Sequence, residues 1–182
     1  MSVHELDPGR TDAAVAIARR CFLESDNRYG CAESTLVALR ESFGLPDPAD
    51  SSPAVALNGG FVYSGGTCGA LSGAGLAVGQ LAERRFGDHR LAKTAARSLI
   101  QDLLDDFIGE FGSANCRDLI GLDLRAPGVH DAFIASGRWR DDCMRQIGFV
   151  VRRLAPLSAA DWARPASPDA GPGPVAAPEQ AR

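Results

Sequence analysis

The sequence predicts an all-α protein, a single-domain helical bundle of about five helices with a glycine-rich loop and a C-terminal tail. Three observations lead there. Apolar residues recur at helical spacing over most of the chain, alternating runs of Val, Ile and Thr are nearly absent, and 182 residues suffice for one core without disulfides.

The first helix is expected over 12–23, with Thr11 or Asp12 as N-cap and Ala14, Ile17 and Ala18 leading inward to Cys21 and Phe22. Cys21 reads as a buried core thiol, since free cysteine is among the most buried side chains. After a polar loop over 24–30, a second helix starts near Cys31, turns Leu36, Leu39 and Phe43 to one side, and stops at Gly44 with Pro46 behind it. A loop over 46–53 and a glycine-rich stretch over 58–66 precede a third helix over 69–85. Its small residues Ala70, Gly73, Ala74 and Ala77 suit a close neighbour, from this chain or from a second copy in a homodimer. The longest amphipathic helix, 89–111, presents Ala92, Ala95, Ala96, Leu99, Leu103, Phe107 and Ile108, is capped by Gly112, and is expected to be the backbone of the scaffold. A short turn from Cys116 to Gly121, a loop at Pro127 and Gly128, and a last helix over 139–154 complete the domain, 1–157. Residues 158–182 are rich in Pro, Ala, Gly and Ser and read as a disordered tail, because so few large apolar side chains cannot offset the entropy of ordering.

Net charge is −4 with three scattered histidines, which excludes a basic face for nucleic acid, and no segment has the pattern of a membrane anchor. The first ten residues lack an export signal, so a cytoplasmic address is expected. Five cysteines in a reducing compartment point to metal binding or redox chemistry rather than to a disulfide framework.

Position matters more than number. Cys31 follows Tyr29-Gly30, Cys68 follows Gly65-Gly66-Thr67, and Cys116 follows Asn115, each at an expected helix start, where free N–H groups and the helix dipole are expected to lower a thiol pKa. Cys143 lies in the first turns of the last helix. Four thiolates around a Zn²⁺, a [2Fe–2S]²⁺ or a [4Fe–4S]²⁺ centre sum to about −2, which three or four converging N-termini of about half a positive charge each offset. Gly60 to Thr67 has the outline of a phosphate-binding loop, but Gly66 occupies the lysine position and no strand precedes it. His4, His89 and His130 read as solvated or capping residues, and Asp105, Asp106, Glu110, Asp141 and Asp142 as solvated helix faces. Asn58 and Tyr63 are candidates to line the site, and Arg117 is a candidate neighbour of a thiolate.

Gly30-Cys31-Ala32, Cys68-Gly69-Ala70-Leu71-Ser72-Gly73, Asn115-Cys116 and Asp142-Cys143, in this order and over about 13–154, resemble the C_GCAxxG_C_C family of redox-active proteins. The resemblance implies a small helical protein whose four hallmark cysteines form one redox site. Cys31, Cys68, Cys116 and Cys143 are then the expected metal ligands, or the catalytic thiols of a disulfide cycle, with Gly66, Thr67, Gly69, Gly73 and Arg117 bordering a cofactor. The leading expectation is an iron–sulfur cluster serving electron transfer or redox sensing with an unidentified redox partner. A metal-free thiol–disulfide oxidoreductase is the alternative, and a zinc-binding or interaction module the third. No C-x-x-C-H motif supports covalent haem, and no close Cys pair has the usual spacing of structural zinc.

Overall fold

The computed structural model describes residues 8–24 and 28–158, so His4 and, beyond Ser158, the expected tail lie outside the described residues. Helix α1 (Pro8–Glu24) begins earlier than the 12–23 expected. A proline at the first helical position lacks only an N–H that has no intrahelical acceptor, and its fixed φ already suits the helix, so Thr11 and Asp12 lie inside the helix rather than capping it. Ala14, Ala18 and Phe22 are buried as expected and Ile17 is half-buried. Cys21 departs from expectation: it is only partly buried and stands outside the core cluster.

Helix α2 (Cys31–Ser42) is the centre of the molecule, with every residue from Ala32 to Arg40 buried and α1, α3 (Gly69–Phe86) and α7 (Trp139–Leu154) packed around it. Leu36, Leu39 and Phe43 are in the core, but so are the polar side chains of Glu33, Ser34, Thr35 and Arg40. Burial of charge requires partners, and Arg40 finds them by donating to the carbonyls of Asp50 at 2.6 Å and Pro46 at 2.7 Å, which ties down the following loop. A 3₁₀ turn, Ser52–Ala54, lies within the connection to α3.

Helix α3 (Gly69–Phe86) packs against α2 and α4 (His89–Phe111). At the α2–α3 crossing a Cβ on Gly73 would stand 2.3 Å from the Ala32 carbonyl oxygen, so glycine there is a condition of the packing. Asp88 caps α4 by accepting from the Leu91 N–H at 3.0 Å, and Gly112, at φ 81°, ends it. Leu103 and Phe107 are fully buried, whereas Ile108, expected on the same face, is 41% exposed. The long amphipathic α4 is an outer helix and not the scaffold's backbone. Periodicity reports one-sidedness within a helix and not how deep in the molecule that helix lies.

Two helices extend the expected count to seven among the described residues: α5 (Cys116–Ile120), read from sequence as a turn, and α6 (Val129–Ser136). Helix α6 buries only Phe133 and is bracketed by Gly128 and Gly137, so it offers too short an apolar stripe to be recognised. Helix α7 (Trp139–Leu154) follows as expected and buries Ile147, Val150 and Val151 beside α1, α2 and α3, with Phe149 joining Phe107 and Phe111 in a ring cluster. No strand occurs among the described residues, and none of their helices is long and apolar enough to cross a membrane.

Gly73→Ala is expected to destabilise the fold by about 1–3 kcal/mol through overpacking at the α2–α3 crossing. Gly75→Ala and Gly79→Ala, where nothing lies within 4 Å of the added Cβ, are expected to stabilise it by up to about 1 kcal/mol each. Chemical denaturation of the three variants checks the contrast.

Candidate redox site

The sequence places three of the four hallmark cysteines at helix starts, and the structure agrees: Cys31 is the first residue of α2, Cys68 the N-cap of α3 and Cys116 the first residue of α5. Cys143 is the fifth residue of α7. Two local devices bring the segments together. The first is a short antiparallel pairing around the Thr67–Asn115 bridge, in which the Cys68 N–H donates to the Ala114 carbonyl and the Cys116 N–H to the Gly66 carbonyl, both at 2.7 Å. Side chains alternate across such a pairing, so positions 68 and 116 share one face.

The second device is the close approach of α3 to α2. A Cβ on Gly69 would stand 2.4 Å from the Cys31 sulfur. Gly69 and Gly73 are four residues apart and therefore on one helix face. The C-G-A-x-x-G spacing thus has a packing meaning: the first glycine admits the sulfur and the second admits the α2 backbone.

Cys31 is oriented by polar groups that sequence reasoning only partly anticipated. Its thiol faces the Asn58 Oδ1 at 3.8 Å, and the same oxygen accepts from the Ala32 N–H at 2.9 Å. The Asn58 Nδ2 donates to the Glu33 Oε2 at 2.9 Å. Glu33 is only 8% exposed and also accepts from the Gly30 N–H at 2.9 Å and the Ser51 hydroxyl at 3.0 Å. The carboxylate therefore dictates which way the Asn58 amide points. Gly30 leaves room for it, since a Cβ there would meet the amide at 2.3 Å. Glu33, in the first turn of α2, looks like an ordinary helix-surface carboxylate until the fold buries it. No sequence signal marks Gln146, 6% exposed in α7, whose Oε1 lies 3.5 Å from the Cys68 sulfur as acceptor.

The remaining candidates are distributed as follows. Gly66 and Thr67 belong to the pairing that joins Cys68 to Cys116. Arg117 turns its guanidinium to Asp123 at 2.9 Å. Tyr63 and Asn58 line a cavity of about 690 Å³ together with Cys31, Cys116 and Cys143. His130, read as solvated or capping, borders the same cavity and meets the Tyr63 ring at a centroid distance of 4.7 Å. His89 pairs with Glu83, Asp106 with Arg153 and Asp142 with Arg138, as expected of surface charge. The phosphate-loop outline fails on its own hydrogen bonds, because the Gly65 and Gly66 N–H groups are taken by the Gly59 and Gly60 carbonyls at 3.0 and 3.1 Å.

The expected lowering of the thiol pKa values is overturned. Burial pushes all four hallmark thiols up, Cys116 to about 12, and the nearby Cys31 charge adds to the rise at Cys68, Cys116 and Cys143. Backbone N–H groups of Gly59, Ala32, Gly69 and Cys31 itself counteract this at Cys31, and those of Ala70 and Leu71 at Cys68. They do not outweigh desolvation. Cys143 feels Cys31, Cys68 and Cys116 at once, so the four sulfurs share one electrostatic neighbourhood. All are free thiols.

The sign of the resulting pH dependence follows. Thiols with raised folded-state pKa values keep protons that the unfolded chain releases, so their contribution is complete below about pH 9 and is lost as pH rises toward 12. The metal-free protein is expected to lose stability above pH 9 with a slope of up to about 1.4 kcal/mol per pH unit for each such thiol. Cys116→Ala should reduce that slope between pH 9 and 11, measured by denaturant titration.

A family model described as "Putative redox-active protein (C_GCAxxG_C_C)" matches residues 29–157, a span that holds all four hallmark cysteines and leaves out Cys21 and the rest of α1. Comparisons with curated proteins and with solved structures find no match. By this match the chain belongs to the C_GCAxxG_C_C family.

Proposed function

We propose that Cys31, Cys68, Cys116 and Cys143 work as one redox centre that takes an iron–sulfur cluster for electron transfer or redox sensing. The observation that carries this reading is their shared, buried neighbourhood, with Cys31 the common neighbour of the other three. The donor set is all sulfur, which suits iron–sulfur chemistry. Backbone N–H groups turned toward Cys31 and Cys68 are the donors that tune the potential of such a centre. When bound, the cluster supplies a reversible one-electron couple. The protein's part is to hold the sulfurs on separate helices and fix Cys31 through Asn58 and Glu33.

Two facts weigh the alternatives. A thiol raised far above neutral pH is a poor nucleophile for metal-free exchange, whereas a metal displaces the thiol proton outright. A single zinc ion needs its donors converging at about 2.3 Å, and among the described residues no three of His, Cys, Asp and Glu are gathered closely enough to hold one ion. A cluster spaces its ligands more widely, because its own iron and sulfide atoms lie between them.

Anaerobic reconstitution of the full chain with iron and sulfide is expected to give a brown protein whose visible absorbance bleaches with dithionite. Serine at any of the four hallmark positions should lower the iron content at least about threefold, while Cys21→Ser should leave it unchanged. A colourless, iron-free product that forms intramolecular disulfides under mild oxidation would replace this reading with the metal-free cycle.

A further inference from the structure

The cavity above Cys31, Cys116 and Cys143 measures about 690 Å³, within the range of pockets that receive small organic molecules. An inorganic core of a few atoms fills a small part of that volume. Cys68 does not line it, so the space lies to one side of the four-sulfur neighbourhood.

The walls indicate what fits. Phe22 from α1 and Trp139 from α7 meet edge to face at 5.2 Å and 87°, and both line the space. Phe133 and Ile134 of α6 line it as well, and the Tyr63–His130 ring pair borders it. Such a lining offers ring faces and edges to a π system, which an aliphatic chain would leave unused. Its charged lining groups are one cation, Arg28, and two carboxylates, Glu33 and Asp131. A phosphate or carboxylate ligand would meet no surplus of positive charge there.

We propose that this cavity is a binding site for a neutral, flat aromatic molecule of about two or three fused rings, seated against the Phe22–Trp139 pair and Phe133 and Ile134 of α6 and bordering three of the sulfurs. The inference goes beyond the cluster reading and stands without it, because protein side chains alone form the walls.

Trp139 reports occupancy directly. In the metal-free, reduced full chain carrying Trp162→Phe, it is the sole indole. The probe is 2,3-dimethyl-1,4-naphthoquinone, whose blocked ring positions prevent thiol addition; flavin mononucleotide and dodecanoate are the phosphate-bearing and aliphatic controls. Saturable quenching with a micromolar Kd is expected. Ile134→Asp, at a 37% exposed position, should weaken binding about tenfold, and Phe133→Ala should weaken it further. No saturable quenching, equal affinity in both variants and the parent, or tighter binding of either control would overturn the proposal. Loss of iron binding in the reconstitution above would leave it standing, so the two readings fail separately.

Discussion

The structure depends on one close approach, that of the α3 backbone to the first turn of α2. Gly69 accommodates the Cys31 sulfur and Gly73 the Ala32 carbonyl, with no room for a Cβ at either position. Without that crossing, Cys68 at the head of α3 would stand a side chain's width farther from Cys31, and the pairing that carries Cys116 would move with it. The glycines of the hallmark motif are therefore packing residues first. They act on chemistry by setting the separation of sulfurs.

Burial and hydrogen bonding oppose one another at these sulfurs, and their balance decides the chemistry. Desolvation favours the protonated thiol, while N–H groups at the helix starts favour the charged form. With no ligand the first effect is larger, so the resting thiols are protonated and inert. A metal centre changes the comparison, because thiolates bonded to cations carry less net charge into the same desolvated site, and the N–H groups then face an anion that stays. The site is suppressed as a nucleophile and kept competent as a ligand set by the same two properties.

Much of this was legible in the sequence, unevenly. The all-helical class, the bounds of α3, α4 and α7, and the helix-start positions of Cys31, Cys68 and Cys116 follow from periodicity and from glycine and proline punctuation. The central role of α2 did not, because periodicity shows one-sidedness within a helix and not how many neighbours enclose it. Cys21 was misplaced for a related reason: it shares a helix with buried Phe22, but residue type alone does not say which side of that helix faces the core. The sign of the thiol shifts was wrong because position at a helix start is visible in sequence whereas depth of burial is not. Asn58 was found, but Glu33 and Gln146 look like ordinary helix-surface residues until the fold buries them.

The segment between α2 and α3 shows how much strain the site supports. Gly59, Gly60, Phe61, Val62 and Tyr63 have φ values of 63°, 74°, 67°, 44° and 62°, one turn of left-handed backbone in which three residues carry side chains. Each non-glycine residue there costs about 1–2 kcal/mol. The return is positional. Asn58 and Cys68 are ten residues apart, a distance that a helix would stretch to about 15 Å and a strand to about 33 Å. The left-handed turn instead doubles the chain back, so that Gly65 and Gly66 donate to the Gly59 and Gly60 carbonyls, and both ends of the segment face the same sulfur neighbourhood. Phe61 and Val62 are left 60% and 53% exposed by the reversal. A right-handed path would spare the strain, but it would separate the amide that orients Cys31 from the helix that begins with Cys68.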